Sequence, residues 1–163
     1  TVRPSCFPLP LRVEELADGS KYHFRTESDF VFLRRVRFAL HPDALKNAPP
    51  LSCPDDFLLV PAGFRTDFAS VPGFLRGALD TENEVAPAAL VHDWLYTCQL
   101  LPRDQADEVF RVALIANRVP AWKARVYWLG VRAGGWIQWG KRPGEASDAL
   151  ALLAEALERR GMN

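Results

Sequence analysis

The chain has 163 residues, enough for one domain with a sizeable core, and 48% apolar and 25% charged content place it among ordinary globular proteins. Lys+Arg and Asp+Glu are both 20, so no overall field draws the chain to nucleic acid or to an anionic membrane. Three cysteines, Cys6, Cys53 and Cys98, have neither CxxC nor Cys/His spacing. That pattern points away from a disulfide framework and a structural zinc site, and towards synthesis in a reducing cytoplasm. No apolar run approaches the ~20 residues that a transmembrane helix needs.

In chain order, the first sixty or so residues read as β. Leu11 to Leu16 leads into Ala17-Asp18-Gly19-Ser20, a turn signal in which Asp and Gly tolerate the left-handed backbone of a tight hairpin. Lys21 to Arg25 alternates, with Tyr22 and Phe24 on one face, and Phe30 to Phe38 is rich in aromatic and β-branched residues. Leu40 to Pro54 carries Pro42, Pro49, Pro50 and Pro54 and reads as loop, and Phe57 to Val60 is a short strand closed by Pro61-Ala62-Gly63. His23 and His41 have no acidic or cysteine partner at ligand spacing and read as structural or surface residues.

From Phe74 onward the period is helical. Pro87 suits the first turn of a helix running to about Leu101, with Leu90, Val91, Trp94, Leu95 and Cys98 as its apolar stripe. Pro102 breaks it. A second helix begins near Asp104, which reads as its N-cap, with Ala106, Val109, Phe110, Ala113 and Leu114 inward. Pro120 starts a third, with Trp122, Val126, Tyr127, Leu129 and Val131, loosening at Gly134-Gly135 before Trp136 and Trp139. Lys141 to Gly144 reads as a linker. The last helix, near Glu145 to Arg160, sets Leu150, Leu153, Ala156 and Leu157 against Glu155, Glu158 and Arg159. The pattern predicts an α+β protein: antiparallel strands or hairpins first, then a cluster of three to four helices. Residues 1–140 form one domain, with strands over 1–66 and helices over 74–140, and 144–163 is an amphipathic helix that offers a docking segment.

The residues able to do chemistry fall between Gly63 and Arg111. His92 and Tyr96, four apart, share a helix face, and Asp93 lies on the adjoining one. Asp107 sits on the inward side of the next helix, and a helical hairpin through Leu101-Pro102-Arg103 brings it to the His92 ring. There it fixes the tautomer and raises the basicity of His92, as a carboxylate does for a general-base histidine. Asp93 is left to hold a hard cation such as Ca²⁺ or Mg²⁺, with Asp67 and Ser70 on the preceding loop completing the pocket. Asp67 also reads as a turn residue bonded to the amides near Ala69 and Ser70. Arg65 and Arg103 either bind an anionic substrate or pair with Asp67 and Asp107. Cys98 reads as core, and so do most of the five tryptophans, with Trp136 and Trp139 as an aromatic patch for a partner. A fully satisfied polar network without catalysis is the competing reading of the same cluster.

At these residues the chain resembles a known family. Gly63 to Pro72 (GFRTDFASVP), Val91 to Tyr96 (VHDWLY), and Arg103 with Ala106-Asp107 and Phe110 resemble the phage and prophage family called domain of unknown function 1353, over roughly residues 10 to 135. The resemblance implies a bacteriophage or prophage origin among late structural or tail genes. The protein is then made in the host cytoplasm, built into the tail of the particle, and partnered there by other virion proteins. It implies no activity. Separately, His92-Asp93-x-x-Tyr96 followed by Asp107-x-x-Phe110 is similar to the catalytic helix pair of secreted phospholipase A2 enzymes. That similarity implies His92 as general base, Asp93 as calcium ligand, Asp107 as orienting carboxylate and Tyr96 as its support. The disulfides and glycine-rich calcium loop of those enzymes are not present here. Together these readings give a phage protein with a His/Asp hydrolytic site acting on a cell-envelope component, or a tail-assembly protein in which the cluster is structural.

Overall fold

The computed structural model describes residues 11–19, 24–33, 57–67, 82–140 and 145–161. His23, His41, Cys6, Cys53, Ser70, the proline-rich stretch and the Lys141–Gly144 linker lie outside the described residues. The chain is α+β, with five short strands followed by four helices among the described residues.

The strands form two small antiparallel sheets. In the first, β1 (Val13–Glu15) pairs with β2 (Phe24–Thr26), and β2 pairs with β5 (Arg65–Thr66) in the register Phe24 to Thr66. In the second, β3 (Phe30–Leu33) pairs with β4 (Phe57–Val60). Gly19, with φ of 74°, takes the left-handed conformation expected of the turn after β1. The two sheets are joined where β4 runs into β5. The Thr26 hydroxyl donates to the Pro61 carbonyl at 2.8 Å and accepts from the Phe64 amide at 3.0 Å, while the Gly63 amide donates to the Thr26 carbonyl at 2.9 Å. Gly63 bends the chain there with φ of 87°, a conformation that costs glycine little. This clamp fixes the position from which Thr66 faces the helices.

The helices are α1 (Glu82–Cys98), α2 (Arg103–Ala116), α3 (Ala121–Gly140) and α4 (Ala146–Arg159). Three local expectations are corrected. First, α1 begins five residues before Pro87, and Pro87 lies inside it. Proline there gives up one ladder bond, to the Asn83 carbonyl, which the buried stripe of Leu90, Val91, Trp94, Leu95 and Cys98 outweighs at ~1.5–3 kcal/mol per large apolar side chain. The helix ends where Gln99 turns left-handed, with φ of 52°. Second, Asp104 is not the N-cap of α2. Pro102 holds that position without a side-chain cap, and Asp104 sits exposed in the first turn, where its charge favours the helix dipole.

Third, α3 does not loosen at Gly134-Gly135 but continues to Gly140. Its buried residues are Ala124, Tyr127, Val131 and Gly135, whereas Trp122 and Trp136 are 71% and 63% exposed, and Val126 and Leu129 also face outward. Of the five tryptophans only Trp94 is fully buried. A helix with apolar residues on two opposite faces hides from sequence which of them turns inward.

The core lies between the helices and the strands. Helix α1 packs against α2 and against α4, and α2 packs against α3. The apolar face of α4 (Ala149, Leu150, Leu153, Ala156 and Leu157) is buried, and two arginines fasten its end. Arg159 and Arg160 reach the Asp29 carboxylate at 3.2 and 3.0 Å, and its Oδ1 also accepts the Ala62 amide at 2.8 Å. Burial raises the Asp29 pKa, but the amide and the two guanidiniums outweigh it and hold the carboxyl below its usual range.

Candidate active site

The connection from α1 to α2 is four residues long, so the two helices fold back on one another as a hairpin. His92 and Tyr96, one turn apart on α1, stack with ring centroids 4.2 Å apart, and Phe110 of α2 covers the imidazole at 4.7 Å. Asp107 enters from α2. Its Oδ1 lies 2.8 Å from His92 Nε2 and accepts the Tyr96 hydroxyl at 2.6 Å. Its Oδ2 accepts Arg132 Nη1 of α3 at 2.9 Å, with Arg103 Nη1 at 3.5 Å. His92, Tyr96 and Asp107 are all 0% exposed.

The electrostatics follow from the partners. Burial raises the Asp107 pKa, but the bonds from His92, Tyr96 and Arg132 outweigh it and hold the carboxyl below the ordinary carboxylate range. Burial, and then the Asp107 charge beside it, push the Tyr96 phenol far above its usual value. Tyr96 is therefore a neutral donor and Asp107 an ionised acceptor. An ionised carboxylate can only accept, so Nε2 of His92 carries the proton on that side. A neutral His92 then has its lone pair on Nδ1, the tautomer a general base needs.

Asp93 points instead towards the strands. The Thr66 hydroxyl of β5 donates to its Oδ2, and the Asp93 carbonyl accepts the Thr97 hydroxyl at 2.9 Å. Phe64, just before β5, and Trp94 meet edge to face at 5.2 Å alongside, so an apolar contact accompanies the polar one where the strand docks on α1. Asp67 follows β5 and is half-buried. Carboxylate and hydroxyl oxygens suit a hard cation, which takes six to eight oxygens in the case of calcium. Among the described residues no three His, Cys, Asp or Glu side chains converge.

Of the three predicted substrate-binding residues, Ser70 lies outside the described residues, and Arg65 and Arg103 each have an acidic partner. Arg65 pairs with Asp18 across the sheet at 2.8 Å, on the exposed side, and not with Asp67. Arg103 joins Asp107 and also donates to the Arg132 carbonyl at 3.3 Å. Cys98 is buried, and burial pushes its thiol up to about 12, so it is packing and not a nucleophile. An open depression of about 350 Å³ lined by Glu14, Arg25, Thr26, Glu27 and Gly63 lies on the strand side and shares no residue with the cluster of His92, Tyr96 and Asp107.

Three contributors escape sequence reasoning. Thr66 and Arg132 are ordinary polar residues whose partners are 27 and 25 positions away. Gly135 is the third, and it did carry a signal: a glycine inside a helical pattern marks close approach of another group. Here that group is Tyr96, whose ring also packs perpendicular to Trp139 with centroids 5.1 Å apart.

These features define an α+β protein whose helical hairpin buries a His–Asp–Tyr network. The chain belongs to the family described as protein of unknown function DUF1353, whose model matches residues 48–131. The match runs from ahead of β4 into α3, so it contains every residue of the network except Gly135 and Arg132. No curated protein and no solved structure matches the chain.

Proposed function

We propose that this is a bacteriophage-encoded, tail-associated protein that hydrolyses a component of the bacterial cell envelope, with His92 as general base. The observation that carries the reading is the two-sided use of Asp107, which binds Nε2 of His92 and the Tyr96 hydroxyl through one oxygen. Nδ1 of His92 takes a proton from water as the water oxygen attacks the acyl carbon. Asp107 stabilises the imidazolium that forms, and the imidazolium returns the proton to the leaving group as its bond to the acyl carbon breaks. Asp93 and Asp67 would hold a divalent cation, Ca²⁺ or Mg²⁺, which when bound supplies charge stabilisation to the reacting carbonyl. Arg103 and Arg65, with Ser70, would recognise an anionic portion of the substrate.

The test is turnover of isolated envelope fractions. Membrane lipid vesicles and peptidoglycan sacculi are incubated with the full chain and with His92→Asn, with and without Ca²⁺ or Mg²⁺, and released fatty acids or stem peptides are quantified. Product that the wild type releases and the variant does not supports the reading. Equal product from both removes it.

One observation favours a second reading. His92, Asp93 and Asp107 are all 0% exposed, and a satisfied buried network specifies a unique core without chemistry. On that reading the protein is a non-enzymatic component of tail or virion assembly. Since the apolar face of α4 is buried, its partner surface is the exposed aromatic patch around Trp136.

A further inference from the structure

Helix α3 carries a second apolar face. At 100° per residue Trp122, Val126, Leu129, Ala133, Trp136 and Ile137 fall within an arc of about 100°, opposite the face formed by Ala124, Tyr127, Val131 and Gly135. All six are exposed, and the opposite four are buried. The ridge is convex and runs some 22 Å along the helix, from position 122 to 137. Monomeric proteins seldom expose a continuous apolar strip of this kind unless something covers it.

The charges beside the ridge identify what covers it. The helix contains Lys123, Arg125 and Arg132 and no acidic residue. Lys123 lies at one edge of the ridge and Arg125 at the other, while Arg132, next to Arg125 around the helix, is turned inward to Asp107. The zero net charge of the whole chain thus conceals a segregation, because α4 carries Asp148, Glu155 and Glu158 against Arg159 alone. We propose that the outward face of α3 lies on the surface of an anionic lipid bilayer, with its apolar ridge among the acyl chains and its flanking cations at the headgroups.

Several properties converge on this occupant. An apolar face edged by Lys and Arg is the pattern of a helix lying in the plane of a bilayer interface. Lys and Arg reach headgroups while their stems stay in the apolar layer, and tryptophan concentrates at the same depth. Trp122 and Trp136 stand near the two ends of the ridge. A second copy of the chain fits less well, since two such faces would bring only cations together along the seam. Nor does α3 span the bilayer: no helix among the described residues is long and apolar enough to cross a membrane. The inference is independent of the catalytic reading, but the geometry links them. The inner side of the same helix supplies Arg132 to Asp107 and presents Gly135 to Tyr96.

Co-sedimentation of the full chain with vesicles tests it. Vesicles of phosphatidylcholine mixed equally with phosphatidylglycerol are compared with phosphatidylcholine alone. The wild type is expected to pellet with the anionic vesicles, less so at high salt. Leu129→Asp with Trp136→Asp should lower partitioning by more than about tenfold, with an unchanged thermal melt because both side chains are exposed. Lys123→Gln with Arg125→Gln keeps the ridge and should lower binding to anionic vesicles only. Wild type that stays in the supernatant overturns the proposal, and so does binding that survives the two Asp substitutions. A dimer in sedimentation velocity that those substitutions dissolve, with no vesicle binding, assigns the ridge to a second copy and also overturns it.

Discussion

Tyr96 rests against the backbone of Gly135: a Cβ at that glycine would stand 2.3 Å from the phenol oxygen and 3.2 Å from Cζ. The tyrosine cannot simply swing aside. Its hydroxyl is bonded to Asp107 and its ring is held between His92 and Trp139. Gly135→Ala therefore sets a helix-propensity gain of ~1 kcal/mol against overpacking of ~1–3 kcal/mol. We expect net destabilisation of up to about 2 kcal/mol in urea unfolding.

Tyr96→Phe removes one of the donors to Asp107, together with the contact of the same hydroxyl with Arg103. A hydrogen bond to a buried charge contributes about 1.5–3 kcal/mol, so the loss in stability should fall in that range. If the network also orients His92, this variant should slow envelope hydrolysis while His92 still supports residual turnover. Unchanged stability would show that the hydroxyl is not bonded as described.

Thr66→Val tests the link between the sheet and α1. Valine preserves the shape and β propensity of β5 but leaves Asp93 Oδ2 without the Thr66 hydroxyl. The expected cost is about 1–3 kcal/mol in denaturant unfolding. In calorimetry, the same variant should alter any Ca²⁺ or Mg²⁺ affinity far less than Asp93→Asn does, because only the latter removes the charge.

Acid should unfold the protein through Asp107. Its carboxyl is held below its unfolded value, so its contribution to stability is fully present above about pH 4 and is lost as pH falls through the lower folded value. Asp107→Asn removes that titration. Stability measured from pH 6 downward should therefore fall less steeply in the variant than in the wild type, although the variant starts lower. Parallel slopes would mean that other carboxylates, Asp29 among them, dominate the acid limb.

The order of strands then helices, the hairpin of α1 and α2, and the meeting of His92 with Asp107 were legible in the sequence. Helical period places residues on faces, and a short proline-marked break dictates which helix returns. The direction of α3 was not legible, because apolar residues on both of its sides satisfy either orientation. Neither was the partner of Arg65, since Asp18 becomes its neighbour only once the strands pair in register. Thr66 and Arg132 were invisible for the same reason: a polar side chain advertises its need for a partner but not the partner's address. Pro87 misled because proline fits the first turn of a helix best, yet a buried stripe holds α1 together around it.

The claim on which the account turns is that Asp107 holds His92 with its proton on Nε2 and its lone pair on Nδ1. Long-range proton–nitrogen NMR of the imidazole at neutral pH, assigned by the signals lost in His92→Asn, reads this directly. Nε2 should be protonated, with a downfield proton shared with Asp107, Nδ1 should be unprotonated, and Asp107→Asn should lose that pattern. A proton resident on Nδ1 at neutral pH would contradict it, and His92 would then be a structural member of the core.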